Sequence, residues 1–331
     1  MKKLRSIIAS VCALALTAAF VKVSVAGQAS ELPTLEVALP EDGMFGLGGQ
    51  YLMDKGIDRK HGFIVKPRWA ALAEAEKLVA FGTVQLGIST AESAVRANLS
   101  DIALRLISPY QTPHNSILVR KDAPYKNLKD LKDKPFAMPP EVTSAYNNFD
   151  YMMKKDGIQI EKFFQLKKLG APGISATLER GEVEAGYTWE AHASKLLATG
   201  KYRVLVTPRD ELNRLLNTKV KLLGWLGTSE SWAAKNAALI PKIRAAWSET
   251  IKGVQDDEVH FRKNAKRLFG LETEEELKIG WPRTKQFFLP RDFSWPDKAN
   301  LDIEKRYLRE SVELGIFPKD ALKFIDVMFI P

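Results

Sequence analysis

Between residues 34 and 227 short β-type runs alternate with helical patterns, and the series occurs twice. The first series sets "TLEVAL", "FIVKPRW", "VQLGIS" and "IALRLIS" around helical segments at 46–57, 70–80 and 91–98. The second follows "NSILVR" with "PFAM", "FFQLKKL", "EVEAGY" and "YRVLVT", interleaved with helical segments at 128–131, 144–156, 175–180 and 190–198. Such alternation with brief connections predicts an α/β chain whose mixed, mostly parallel sheets are flanked by helices. The run "KVKLLGWLG" at 219–227 reads as a strand returning to the first sheet. Beyond Ser229 the pattern turns helical, with Ile240, Ile243, Trp247, Ile251 and Val254 on one face. This helical C-terminal third has too few strands for a domain of its own. We therefore expect residues 30–112 and 222–331 to form one lobe and 113–221 a second. Two adjacent crossings, at 110–118 and 219–227, then make a hinge.

The N-terminus bounds the compartment. "MKKLR" precedes an apolar run at 7–20 and then small residues, the layout of a secretory leader over residues 1–29. The run falls short of the roughly 20 residues a membrane span needs, so we expect an exported, periplasmic protein. The single cysteine, Cys12, lies inside that leader, which leaves the exported chain without a disulfide, a thiol nucleophile or a cysteine metal ligand. Removing the leader takes away four cations and no acid, so the formal charge of +9 becomes +5. The clusters at 126–134 and 262–267 lack the interleaved aromatic platforms of a nucleic-acid binder, and no nucleic-acid partner is expected. With 331 residues and 45% apolar content, the chain can bury the cores of two lobes.

In open α/β sheets ligands sit outside the carboxyl ends of the strands, so the strand-to-helix turns of both lobes are expected to face a shared cleft. The first turn, "PEDGMFGLGGQ", offers Asp42, Gly43, Met44 and Phe45. Its glycines read either as a tight backbone turn under a small ligand or as a plain flexible turn, since Tyr51 breaks the dinucleotide-binding pattern. "GISTAES" places Ser89 and Thr90 at a helix start, and "PPEVTSAY" places Thr143, Ser144 and Tyr146 at another. Helix starts suit an anion or polar ligand edge, though serine and threonine are also ordinary N-caps. "GEVEAGYTWEA" brings Tyr187, Trp189 and Glu190 to the end of a strand. The aromatic pair suits a flat or apolar solute body, although Trp189 also fits packing between lobes.

Chemistry of turnover is poorly represented. His61, His114, His192 and His260 are scattered, with no H-E-x-x-H motif, so no metal site is expected. The G-x-S-x-G nucleophile turn and the phosphate-binding G-x-x-x-x-G-K-[ST] loop are both absent.

The order of "GIDRKHGF", "LVAFGTVQLGIST", "ILVRKDAPYKNLKDLKDKPFAM" and "LERGEVEAGYTWEAHASKLLATGKYRVL" resembles the periplasmic solute-binding proteins of ATP-binding-cassette importers. The branch is the one that includes nitrate, sulfonate, taurine and thiamine-precursor binders, and the likeness spans roughly residues 33–260. It implies a two-lobed type II binding protein, a Venus flytrap, that acts as a monomer without a cofactor. Such a protein closes on one small solute, delivers it to a membrane permease and catalyses nothing. Matching positions imply a ligand shell from the Asp42–Phe45 turn, Ser89 and Thr90, Tyr110, Thr143 and Ser144, then Tyr187, Trp189 and Glu190, with Trp225 near the second crossing. Ala191 stands where many relatives have proline. A cleft carboxylate is costly to desolvate without a partner, so Glu190 is expected to take a nitrogen donor, which favours an aminopyrimidine-like or aminosulfonate-like solute. Two other readings stand beside this one. One is a ligand-sensing module for a membrane kinase; the other is a cofactor-dependent enzyme on the same fold.

Overall fold

The computed structural model describes residues 31–330. The expected leader, with Cys12, lies outside the described residues.

Among the described residues ten strands form two five-stranded sheets. The first sheet contains β1 (Thr34–Pro40), β2 (Ile64–Ala70), β3 (Leu86–Thr90) and β4 (Leu104–Gln111), with β10 (Gly224–Ser229) inserted in the order β2-β1-β3-β10-β4. The second contains β5 (Asn115–Arg120), β6 (Pro135–Met138), β7 (Gln165–Lys168), β8 (Ala185–Trp189) and β9 (Tyr202–Val206), in the order β7-β6-β8-β5-β9. In the first sheet β1 pairs in parallel with β2 and β3, and in the second β6 pairs in parallel with β7 and β8. The strand next to a crossing runs against its neighbours: β10 is antiparallel to β3 and β4, and β5 to β8 and β9. The molecule thus has the two-lobed, mixed-sheet architecture that the resemblance implies.

Helices that position the site are α1 (Gly43–Asp54), α2 (Leu72–Ala80), α3 (Ala91–Leu99), α4 (Ser144–Lys155) and α5 (His192–Ala198). The C-terminal third supplies α6 (Ile240–Val254), α7 (Glu258–Phe269), α8 (Glu274–Lys285) and α9 (Lys298–Glu313). Its apolar stripe behaves as the spacing predicts: Ile243, Trp247, Ile251 and Val254 join Leu39, Phe45 and Leu106 in one core around the first sheet. A separate core holds Phe136, Phe149, Phe164 and Tyr187 against the second sheet, where Phe136 and Phe149 stack with centroids 5.4 Å apart.

The glycine-rich segment is a tight turn at its first glycine alone, and the rest of it is helix. Only Gly43 has a left-handed backbone, with φ of 78°. Gly46 and Gly49 lie inside α1, where a Cβ would come within 2.5 Å of the Pro40 carbonyl oxygen and 2.6 Å of Leu39. Their role is close packing of α1 on β1, worth more here than the roughly 1 kcal/mol each glycine costs a helix.

Near the second crossing Lys221 and Glu304 form a fully buried ion pair at 2.8 Å, and Glu304 also accepts from the Leu222 N–H at 2.8 Å. Burial pushes the Glu304 carboxyl up against the opposing pull of Lys221. The pair ties the returning chain to α9.

Candidate functional site

A cleft lined from both sheets has two connected ends, with cavity volumes of about 270 and 380 Å³. Leu72, Ile88, Tyr110, Gln111, His114 and Trp189 are common to both. This is the size range of small-solute sites.

One end is built at two helix starts. Thr90 caps α3 by accepting from the Ser93 N–H at 3.0 Å, and Thr143 caps α4 by accepting from the Tyr146 N–H at 3.2 Å. The backbone N–H groups of Ala91, Glu92, Ser144 and Ala145 come too early in their helices for an intrahelical acceptor. The Thr90 and Ser144 hydroxyls meet across the cleft at 2.7 Å. One of their two protons serves that bond, so the pair keeps one to donate. Two positive dipole ends therefore converge where the lobes touch. Arg96 of α3 reinforces the contact by donating to Asn147 of α4 at 2.7 Å.

Glu76 of α2 also lines this end. Desolvation pushes its carboxyl up to about 7, with Arg96 opposing and Glu92 adding to the shift. Tyr110 is 2% exposed, and its hydroxyl has no hydrogen-bond partner. Gly224 permits this placement, because a Cβ there would lie 2.5 Å from the Tyr110 ring. Gln111 donates to His114 Nδ1 at 3.1 Å, while the Gln111 Oε1 is buried without a donor. Burial holds the His114 imidazole down to about 4, so the ring is neutral at physiological pH and accepts that bond.

The other end lies between the start of α1 and the turn from β8 to α5, closed by the C-terminus of α7. Asp42 to Phe45 line it from one side and Trp189 to His192 from the other. Phe45 tilts against Tyr110 with centroids 4.6 Å apart, and Trp189 meets His192 edge-on at 5.9 Å. Lys195, Lys266 and Arg267 make this end cationic, with Asp42 as its exposed acid.

Asp42, Gly43, Met44, Phe45, Thr90, Tyr110, Thr143, Ser144, Trp189 and Glu190 are brought together on the cleft wall. Four expected residues are placed elsewhere. Ser89 is 1% exposed within β3, its hydroxyl donating to the Thr90 carbonyl at 3.3 Å. Tyr146 faces the second core, and its hydroxyl donates to Glu161. Tyr187 shares a face of β8 with Trp189. It sits one pleat inside the sheet edge, though, so its ring packs on Phe149 at 5.4 Å and only Trp189 clears the edge. Trp225 is sealed between Trp295 and Phe329, with centroids 5.0 and 5.2 Å away.

Glu190 departs from its expected role even though it borders the cleft. Its Oε1 accepts from Arg283 of α8 at 2.5 and 2.7 Å, and its Oε2 accepts from Ser194. Arg283 donates onward to Ser116 at 2.7 Å. The carboxylate already has the cationic partner its burial requires, so it braces the two lobes. The peptide that follows it, Glu190–Ala191, is cis.

Glu76, Gln111 and His114 were missed by the sequence reading, since nothing adjacent in the chain marks them. Glu76 sits in "AEAEKLVA", an unremarkable amphipathic run, and only the fold turns it toward the starts of α3 and α4. Among the described residues no cluster of three or more histidine, cysteine or acidic side chains could hold a metal ion, and no helix is long and apolar enough to cross a membrane.

The family described as ABC transporter, phosphonate, periplasmic substrate-binding protein matches residues 53–220. No curated protein matches the sequence significantly. Among solved structures, the periplasmic aliphatic sulphonate binding protein SsuA from Escherichia coli is 18% identical with a TM-score of 0.70, over 88% of this chain and 96% of that one. The alkanesulfonate-binding SsuA from Xanthomonas axonopodis pv. citri, bound to MOPS, is 14% identical with a TM-score of 0.71, over 91% and 99%. A Candida albicans gene product with the generic periplasmic binding protein fold is 15% identical with a TM-score of 0.63, over 90% and 96%. At these identities the likeness establishes the fold.

Proposed function

The chain belongs to the periplasmic substrate-binding proteins of phosphonate ABC transporters, and from that premise we propose that it captures a small organic solute with a sulfonate or phosphonate head and delivers it to a membrane permease. The observation that carries the reading is the hydroxyl pair Thr90 and Ser144, 2.7 Å apart at the meeting of two helix starts. Converging N–H groups and a free hydroxyl proton suit an oxyanion, and closure of the lobes would complete that site. The organic part of the solute would lie along Tyr110, Phe45 and Trp189, where aromatic contact adds ~0.5–1.5 kcal/mol beyond burial.

The amino group of an aminosulfonate-like solute cannot depend on Glu190, whose charge Arg283 satisfies. Asp42, exposed at the opposite end of the cleft, is the acid placed to receive it. An aminopyrimidine has no oxyanion for the helix starts and fits this arrangement less well. In the same reading residues 30–112 with 222–331 and residues 113–221 move as separate lobes about the two crossings.

Calorimetry against alkanesulfonates, aminosulfonates and alkylphosphonates tests the proposal. The double substitution Thr90→Ala and Ser144→Ala should weaken the tightest of them by about tenfold or more, ~1.4 kcal/mol. Unchanged affinity would remove the helix starts from the site.

A further inference from the structure

We propose that Glu76 is a specificity-determining residue: it shares a single proton with the acidic head of the bound solute, accepting from a hydrogen phosphonate or donating to a sulfonate. The inference rests on the oxyanion reading above and assigns that site a residue the reading does not use. Its geometry is specific. Glu76 lines the same end of the cleft as Thr90, Ser93 and Ser144. Two residues that line both ends of the cleft, Tyr110 and Gln111, also carry buried, unpartnered groups, the tyrosine hydroxyl and the Gln111 Oε1. A hydroxyl donor and an amide acceptor left unsatisfied on two cleft-lining residues suit a ligand that both accepts and donates. A hydrogen phosphonate does both; a sulfonate only accepts.

A carboxylate beside an oxyanion would be repelled unless a proton lay between them. The surroundings of Glu76 make that proton available near neutrality. Burial raises its carboxyl to about 7, against Arg96 and a hydrogen bond from the Ser93 side chain and together with Glu92 from α3. Tyr110 of β4 and His114 are the other titratable groups at this end, the tyrosine held well above its usual range and the histidine neutral. Glu36, Lys66 and Arg68, the charged residues of the strands beneath α2, do not line the cavity.

The proton balance differs between heads. A sulfonate carries no proton at neutral pH, so above pH 7 Glu76 must take one from solvent for the complex to form. An alkylphosphonate ionises a second time above the value of about 6 of a phosphate ester, because carbon draws off less charge than an ester oxygen, and so still brings part of that proton with it at pH 8. Affinity for a sulfonate should therefore fall by about tenfold per pH unit above the free Glu76 value, and affinity for a phosphonate should fall less at the same pH.

The test is calorimetry of methanesulfonate and methylphosphonate at pH 8 in two buffers of different ionisation heat. Wild-type protein is expected to take up close to one proton per sulfonate and clearly less per phosphonate. Glu76→Gln, which keeps a donor of similar shape, should take up none with sulfonate and bind it about tenfold more tightly than wild type at pH 8. Sulfonate binding by wild type without proton uptake overturns the assignment, and so does uptake that persists in Glu76→Gln. Failure of wild type to bind either probe overturns the oxyanion reading itself. The wild-type proton count does not depend on how the variant folds.

Discussion

Tyr187 and Trp189 stand two residues apart on one face of β8, yet they answer to different measurements. Tyr187 is fully buried against Phe149, so Tyr187→Ala should destabilise the protein by ~3–5 kcal/mol, read as a shift in the urea midpoint. Trp189 is half-buried on the cleft wall, and Trp189→Ala should move that midpoint far less while weakening solute binding. Equal effects of the two substitutions on affinity would contradict the placement. The sequence makes this pair legible as an aromatic cluster at a strand end. What it could not show was where the sheet stops, because the edge is set by pairing with β5 and β6. Glu190 was misread for a related reason. Its partner Arg283 lies 93 residues away, and no local pattern announces a salt bridge of that span.

At the level of elements, local turn chemistry was informative. Thr90 and Thr143 cap the helices the spacing predicts, since an N-cap depends on residues within one turn. The glycines of α1 were not informative, because their purpose lies in what packs against them. Gly49→Ala should clash with Leu39 and cost ~1–3 kcal/mol of stability despite the better helix propensity of alanine. Thermal unfolding checks this, and a stabilised variant would mean that α1 can move off β1. The start of α1 forms one wall of the cleft, so the same variant tests how tightly that wall is held.

For the molecule as a whole, the twofold alternation of strands and helices was enough to anticipate two mixed sheets and a returning strand. The C-terminal helices were legible as helices but not in their attachments. Trp295 donates to the Ile107 carbonyl from 188 residues away, and Phe329 bridges to Leu106 at the edge of β4. Contacts across the cleft hold the lobes together: Thr90 to Ser144, Arg96 to Asn147, and Tyr151 to Glu310 at 2.6 Å. Each lies on the side of the molecule where α3 and α4 meet. Glu190 and Arg283 brace the other end of the cleft, so a solute bound beside α3 and α4 has to engage or displace this set at the helix starts. A crystal structure of the protein grown with an alkanesulfonate or alkylphosphonate tests this most directly. The acid head is predicted within hydrogen-bond distance, roughly 2.7–3.2 Å, of Thr90 and Ser144, with its carbon chain along Tyr110 and Trp189. A head lodged instead among Lys195, Lys266 and Arg267, with the starts of α3 and α4 untouched, would contradict the account.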